Sequence, residues 1–246
     1  MEKSARQKNI QNVLAILSHT YPHAKIVLRY HTPWELLVAV ILSAQCTDVT
    51  VNKVTEKLFA KYRTLDDYVH ANTNEFEKDI RSAGFYHAKA KNILSAAKIV
   101  GETFHGKVPK TMEDILTLPG VARKTANVVL GNAYRIVMGI AVDTHVIRLS
   151  QRLRLVPLEK IGGKKILYVP RDKEQGTRKT IDYIKDASPE KIETELMNVI
   201  PKAQWFSLTY RLIDHGRAVC KAQNPQCDKC PLSLLCPATR LEHPSA

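Results

Sequence analysis

Four cysteines near the carboxyl end constrain the folding of this chain more than any other sequence feature. Cys220, Cys227, Cys230 and Cys236 follow one another with six, two and five residues between them. Thiolates spaced this closely can converge on one soft metal centre, because the short connections form small loops around it. The spacing therefore predicts a metal-binding segment that holds either a structural zinc ion or an iron–sulfur cluster.

Disulfide bonds are the alternative use of these cysteines. The chain opens without a secretory signal, and its 246 residues can bury a core without covalent cross-links, so a metal centre is favoured. The fifth cysteine, Cys46, lies far from the other four, and a total of five fits four ligands plus one unpaired thiol. We expect Cys46 to be a small buried apolar side chain without a functional role.

The charge balance predicts a polyanionic partner. The chain carries 37 Lys and Arg against 24 Asp and Glu, a formal net charge of +13. Nucleic acid is the first candidate for such a partner and an anionic membrane the second. No apolar run approaches the roughly 18–20 residues needed to span a bilayer, so we expect no membrane association. A reducing, cytoplasmic compartment that contains nucleic acid is expected.

Apolar residues recur at helical spacing along most of the chain and predict an all-α fold. The predicted helices contain Ile10 to Leu17, Trp34 to Ser43, Val51 to Leu58, Ile93 to Phe104, and Ile192 to Val199. Thr32, Thr47 and Ser188 precede three of these helices. They are predicted N-caps, because a hydroxyl can accept one of the first backbone N–H groups of a helix.

A polar, charged stretch at about 157–187 interrupts the helical pattern. It contains Lys164 and Lys165 and one short β-like run from Ile166 to Val169. We predict a long surface excursion, formed as a hairpin. Its Lys and Arg side chains could contact a phosphate backbone, but a solvated charged loop is the favoured interpretation.

The segment 118–126 contains a candidate nucleophile. Pro119 and Gly120 predict a tight turn, and the residues after them restart a helix, whose N-terminal N–H groups suit one phosphate. Lys124 falls in the first turn, where the helix dipole disfavours a cation and so favours the neutral amine of a nucleophile. On this segment alone, a phosphate-binding pair of Arg123 and Lys124 is the favoured interpretation.

Asp143 ends an apolar run and precedes another predicted helix. It is first of all a predicted N-cap, although its carboxylate could also face a cleft. His145 is expected to pack against the fold or to lie on the helix surface.

Taken together, four segments resemble the endonuclease III family of DNA glycosylases, within the helix-hairpin-helix superfamily. They are the block 36–48 (LLVAVILSAQCTD), the hairpin 118–129 (LPGVARKTANVV), the run 142–145 (VDTH), and the cysteine spacing. They occur in the family's order and span nearly the whole chain.

This resemblance implies a two-lobed all-α fold with a DNA-binding cleft between the lobes. A six-helix barrel domain would occupy residues 26–138 and carry the helix-hairpin-helix at about 112–130. Residues 1–25 and 139–246 would form a discontinuous second domain. That domain would hold a structural 4Fe–4S cluster on Cys220, Cys227, Cys230 and Cys236.

The resemblance further implies a bifunctional DNA glycosylase and AP lyase that removes oxidised pyrimidines. The damaged base leaves the stack, and neutral Lys124 attacks the sugar carbon; the resulting Schiff base then allows β-elimination and a nick 3′ to the abasic site. Asp143 would stabilise positive charge on the sugar and help the lysine lose its proton. Gln45 would fill the gap left by the extruded nucleotide, and Phe85 would act as a wedge. The implied DNA contacts are Gln45, Phe85, Gly120, Ala122, Arg123, Thr125, His145 and Lys221.

Three positions depart from the family pattern. Phe85 stands where the family often has leucine, which could change lesion preference. Ala122 stands at the second glycine position of the hairpin and would limit the freedom of the backbone. The loop between the first two cysteines carries Lys221 as its one basic side chain, which predicts a small contribution to DNA binding.

Two other functions stay open. A mismatch-specific glycosylase of the same superfamily shares the hairpin, the aspartate and the cluster but lacks the nucleophilic lysine. A cluster-bearing DNA-binding protein without activity would need neither Lys124 nor Asp143. For the favoured function we expect a monomer that acts on double-stranded DNA with damaged pyrimidines or abasic sites, in association with the nucleoid.

Overall fold

The computed structural model describes residues 2–169 and 180–241 of the chain. These residues form eleven α-helices and one two-stranded sheet, which confirms the predicted all-α class. The helices are α1 (Glu2–Thr20), α2 (Pro33–Leu42), α3 (Asp48–Lys61), α4 (Leu65–Val69), α5 (Thr73–Asp79), α6 (Tyr86–Glu102), α7 (Met112–Ile115), α8 (Arg123–Tyr134), α9 (Thr144–Arg152), α10 (Pro189–Val199) and α11 (Trp205–Ala218). The strands are β1 (Ile166–Tyr168) and β2 (Ile181–Ile184).

The chain divides into two compact units. The central unit, Ile26–Met138, is built around α2, whose residues are buried on nearly every side. A helix that is apolar all round belongs at the centre of a core, and α2 packs against α3, α6 and α8. A second apolar centre of this unit consists of four aromatic rings in edge or tilted contact, those of Trp34, Tyr62, Tyr68 and Phe76.

The terminal unit combines residues 1–25 with 139–246. In this unit α9 packs against α10, α11 and β2, while α1 packs against α11. The most deeply buried side chains of its core include Val13, Leu17, Ile140, Val146, Leu149, Ile192, Leu196 and Leu212. The apolar stripe predicted for the first helix therefore packs on helices that follow far later in the chain.

Side-chain caps fix where several helices begin. The hydroxyls of Thr32, Thr47 and Ser188 each accept a backbone N–H in the first turn of α2, α3 and α10. Each such cap stabilises a helix by about 1 kcal/mol. All three predicted N-caps are confirmed. The end of α6 was predicted less well, because the helix stops at Glu102 and Phe104 lies beyond it.

The excursion forms a hairpin, but it is not a wholly solvated loop. β1 is exposed, whereas Asp182, Tyr183 and Ile184 of its antiparallel partner β2 are buried. β2 is buried because it packs against α9, with Gln151 accepting the N–H of Ile184 at 2.7 Å and donating to its carbonyl at 3.1 Å. The prediction of a solvated surface stretch is therefore wrong for β2. The part of the excursion at 170–179 lies outside the described residues.

Among the described residues, no helix combines the length and the apolar character needed to cross a membrane.

Candidate functional site

A tight turn precedes α8, and only glycine fits its centre. Gly120 has φ +79°, and a Cβ on it would come within 2.9 Å of Asn92 Cβ. Val121 closes the turn by donating its N–H to the carbonyl of Leu118 at 3.1 Å. This geometry brings the backbone directly into the first turn of α8, as the Pro-Gly pair predicted.

The N-terminus of α8 has no side-chain cap. Its cap residue, Ala122, has φ −93° and ψ 170°, an extended conformation that any residue adopts. The expected restriction from alanine at this position therefore has no consequence for the backbone. The first turn presents uncapped N–H groups and the positive end of the dipole, an arrangement that suits a phosphate.

Lys124 lies in this first turn, with Arg123 before it and Thr125 after it. All three side chains are half-buried, and the rest of the helix is anchored by a buried run from Ala126 to Leu130. The structure thus places the candidate nucleophile on a rigid helix, directly after the turn that can hold a phosphate.

Asp143 is the N-cap of α9, as predicted. Its Oδ1 accepts the backbone N–H groups of His145 and Val146, each at 2.9 Å. Its Oδ2 lies 3.0 Å from Nδ1 of His145. The side chain keeps 20% of its surface exposed, so the cap fixes the carboxylate in place without enclosing it.

His145 packs against α11. A Cβ added to Gly216 would come within 2.7 Å of the imidazole Cδ2, so the glycine leaves the space that the ring needs. The ring also pairs with Asp143, and 22% of its side-chain surface stays exposed. This agrees with the packing interpretation; the contact with DNA that the resemblance implies stays a prediction.

Gln45 and Phe85 both lie in turns of the central unit and share an unusual backbone conformation. Their φ values are +52° and +47°, in the left-handed region that non-glycine residues rarely adopt. Both side chains are exposed, Phe85 to 68% of its surface. An exposed aromatic ring held at a turn can enter a gap between stacked bases.

The five cysteines form no disulfide. Cys46 is half-buried rather than fully buried. The other four line one cavity together with Leu149, Arg152 and His215. Among the described residues, no group of three or more His, Cys, Asp or Glu side chains is gathered closely enough to hold a metal ion.

Burial shifts the pKa values of three side chains that line this cavity. Loss of solvation raises the pKa of the Cys230 thiol to about 11 and that of Cys236 to about 12. Burial lowers the pKa of His215 to about 4, so its ring is neutral at pH 7; its Nδ1 lies 3.0 Å from the hydroxyl of Tyr21.

Two buried arginines on α9 donate hydrogen bonds to the start of the segment 220–236, called here the cysteine segment. Arg148 donates to the carbonyl of Cys220 through two nitrogens, at 3.0 and 3.3 Å. Arg152 donates to the Cys220 sulfur at 3.2 Å and to the carbonyls of Lys221 and Ala222 at 2.8 and 3.0 Å. Its guanidinium also forms a buried ion pair with Asp182 of β2, with N···O distances of 2.5 and 2.8 Å.

Comparison with known proteins identifies the family of this chain. A model of the HhH-GPD superfamily of base excision DNA repair proteins matches residues 38–165. Endonuclease III of Synechocystis sp. is 44% identical over 96% of this chain and 95% of its own length. The chain belongs to the endonuclease III family. Endonuclease III of Bacillus subtilis is 42% identical over 93% of this chain and 92% of its own.

The fold of this endonuclease III family member matches a solved structure of the same family. A trapped covalent intermediate of an endonuclease III with DNA superposes with a TM-score of 0.79 at 41% identity. The match covers 94% of this chain and 95% of the other. The predicted family and fold are therefore confirmed.

The sequence interpretation missed Lys89, Arg148 and Arg152, all of them buried. One signal was available for each. Lys89 stands four residues before Ile93 and continues the buried stripe of α6, and the two arginines stand four residues apart on α9. A charged side chain in a buried helical stripe indicates a polar partner inside the fold.

Proposed function

We propose that this chain is a bifunctional DNA glycosylase and AP lyase that removes oxidised pyrimidines from duplex DNA during base excision repair. The observation that carries the proposal is Lys124 in the first turn of α8, directly after the Gly120 turn. Phosphate binding needs only the N–H groups of that turn, whereas an amine held there on a rigid helix also suits nucleophilic attack. Membership of the endonuclease III family supports the same activity.

Lys124 and Asp143 carry the chemistry in this proposal. The damaged base first leaves the stack, since its sugar carbon is otherwise out of reach. The neutral amine of Lys124 then forms a bond to that carbon as the bond to the base breaks. The bond between this carbon and the ring oxygen then breaks, which opens the sugar and leaves a Schiff base to Lys124. The Schiff base acidifies the neighbouring sugar position, which loses a proton, and departure of the 3′ phosphate by β-elimination nicks the strand. Asp143, fixed by its two backbone N–H donors, stabilises positive charge on the sugar and takes the lysine proton.

The remaining site residues bind DNA. Gly120, Ala122, Arg123 and Thr125 form the turn and helix start that receive a backbone phosphate. Gln45 fills the gap left by the extruded nucleotide, and the exposed ring of Phe85 stacks beside it. His145 and Lys221 add contacts in the terminal unit. The net charge of +13 supports binding to duplex DNA, which in this proposal contains damaged pyrimidines or abasic sites.

The four C-terminal cysteines fit a 4Fe–4S cluster. All four line one cavity, and the buried guanidinium of Arg152 donates to the Cys220 sulfur at 3.2 Å, a contact that favours a thiolate. Four thiolates suit either a zinc ion or an iron–sulfur cluster, and membership of the endonuclease III family favours a cluster held by Cys220, Cys227, Cys230 and Cys236. When bound, the cluster would cross-link this segment and order the loop that carries Lys221.

The two compact units correspond in this proposal to two domains. Residues 26–138 form the barrel domain with the helix-hairpin-helix, and residues 1–25 with 139–246 form the cluster domain. We further propose that the enzyme acts as a cytoplasmic monomer at the nucleoid.

The test is incubation with a duplex that contains one thymine glycol, with and without borohydride. We expect a nicked strand, and with borohydride a covalent adduct, because only an amine nucleophile leaves a reducible Schiff base. Lys124→Gln should lose both products yet still bind the duplex. Lys107→Gln, at an exposed lysine of the same unit, should retain both.

Other outcomes would identify the other candidate functions. Release of a base from a mismatch without any trapped adduct would indicate a monofunctional mismatch glycosylase. Binding without base release on either substrate would indicate a DNA-binding protein. Nicking by Lys124→Gln at the parent rate would leave Lys124 as a phosphate contact only.

A further inference from the structure

Lys89 is a buried lysine that the proposed chemistry does not use. It lies in the first turns of α6, and only 5% of its surface is exposed. Its ammonium donates to three backbone carbonyls: that of Leu42 at 2.7 Å, that of Ala44 at 2.7 Å, and that of Ala83 at 2.9 Å. An ammonium has three N–H donors, so these three acceptors match it completely.

The three carbonyls belong to the two turns that carry Gln45 and Phe85. Leu42 is the last residue of α2, where helical carbonyls run out of intrahelical donors, and Ala44 directly precedes Gln45. Ala83 ends a short 3₁₀ helix and stands two residues before Phe85. One nitrogen atom therefore ties together two segments that are about forty residues apart in sequence.

Both turns contain a strained backbone conformation that contacts from the surrounding structure must stabilise. Gln45 and Phe85 each have a positive φ, which non-glycine residues keep only where the surrounding structure enforces it. Burial lowers the pKa of Lys89. Its ammonium nevertheless lies at the carboxyl ends of α2 and of the 3₁₀ helix, where the backbone carbonyls favour a cation. Without the ammonium, three buried or half-buried carbonyls would lose a charged donor.

We propose that Lys89 is a positioning residue that holds the turns of Gln45 and Phe85 together, so that both side chains enter the base stack in concert. This inference rests on the proposed function, in which these two side chains occupy the duplex while the damaged nucleotide is extruded. Lys89 itself touches neither the DNA nor the reacting atoms. The effect of replacing Lys89 on the rate of base release should therefore depend on the free-energy cost of extruding the damaged nucleotide.

Lys89→Met keeps the length of the side chain and removes the donors. On a fully paired thymine glycol duplex, we expect single-turnover base release to slow by about 10- to 100-fold, because misplaced groups lose rate steeply. On the same lesion in a three-nucleotide bubble, where extrusion costs little, the loss should stay within about threefold. Lys98→Met, at an exposed lysine of the same helix, is the matched control and should behave as the parent on both.

Two further readouts separate positioning from general damage to the fold. With 2-aminopurine opposite the lesion, Lys89→Met should show a smaller fluorescence rise on binding, since fewer bases are unstacked by the two turns. In a double-mutant cycle with Phe85→Ala, the second substitution should add little to the first. Should Lys89→Met fail to fold, Lys89→Gln keeps two N–H donors and should show the same pattern with a smaller loss.

Equal losses on the paired and bubble substrates, or additive effects with Phe85→Ala, would overturn the positioning role while leaving the proposed function intact. A parent enzyme that releases no base from either substrate would instead overturn the proposed function, and this inference with it. Borohydride trapping on a preformed abasic site separates the two cases, because it reports Lys124 directly.

Discussion

Asp143 carries two tasks that a substitution can separate. Its carboxylate caps α9 through two backbone N–H groups, and in the proposed mechanism its charge also stabilises the sugar cation. Asparagine caps a helix as well as aspartate does but carries no charge. The two tasks therefore predict different outcomes for different replacements at one position.

We expect Asp143→Asn to release thymine glycol at least about 100-fold more slowly, with unchanged affinity for the damaged duplex and an unchanged melting temperature. Asp143→Ala should lose both base release and about 1 kcal/mol of stability, because it also removes the cap. Single-turnover kinetics, binding titration and thermal unfolding of both variants provide the measurements. An Asp143→Asn protein that is destabilised but fully active would confine Asp143 to its structural role.

At the level of elements, the sequence predicts features that have a local cause and does not predict those that depend on contacts distant in the chain. Thr32, Thr47 and Ser188 were identifiable as caps because a hydroxyl before an apolar periodic run has a local cause. The burial of β2 was not identifiable, because it depends on α9, about thirty residues away. Short helices such as α4 and α5 escaped prediction, since fewer than two turns show no clear periodicity.

The same distinction between local and distant causes applies to the residues of the candidate site. Lys124, Asp143 and the four cysteines could be proposed from the sequence because each lies in a segment that matches the family pattern. Lys89 and Arg152 were not found, because their roles follow from carbonyls and carboxylates that only the folded chain brings to them. A buried charge is defined by its partners, and those partners are distant in sequence.

Arg152 connects the β1–β2 hairpin to the cysteine segment, because it pairs with Asp182 of β2 and also donates to the backbone just after Cys220. This contact gives the excursion at 157–187 a structural role. Both side chains are buried, with 3% and 7% of their surfaces exposed. Asp182→Ala would leave a buried cation without its carboxylate, a change that costs about 3–5 kcal/mol. We therefore expect a clearly lower melting temperature and, with the proposed cluster bound, faster loss of its visible absorbance on heating.

Asp186→Ala is the matched control for this prediction. Asp186 lies on the same hairpin segment and accepts the N–H groups of Lys164 and Lys165, but its carboxylate is exposed to solvent. Its replacement should change the melting temperature little and leave the rate of absorbance loss unchanged. If Asp182→Ala behaves like this control, the hairpin does not support the cysteine segment.

For the whole molecule, the net charge of +13 makes a prediction about salt. Each phosphate that the protein neutralises releases condensed counterions, so the logarithm of the binding constant should fall with the logarithm of salt concentration at a slope of about −0.9 per contact. We expect several such contacts, and hence a steep slope for damaged and undamaged duplex alike. Arg123→Gln should reduce the slope by about one contact, because Arg123 lies at the phosphate-binding helix start. Binding titrations at four or more salt concentrations measure both slopes. A flat response would mean that the positive surface is not used for DNA, and base contacts alone would then have to supply the affinity.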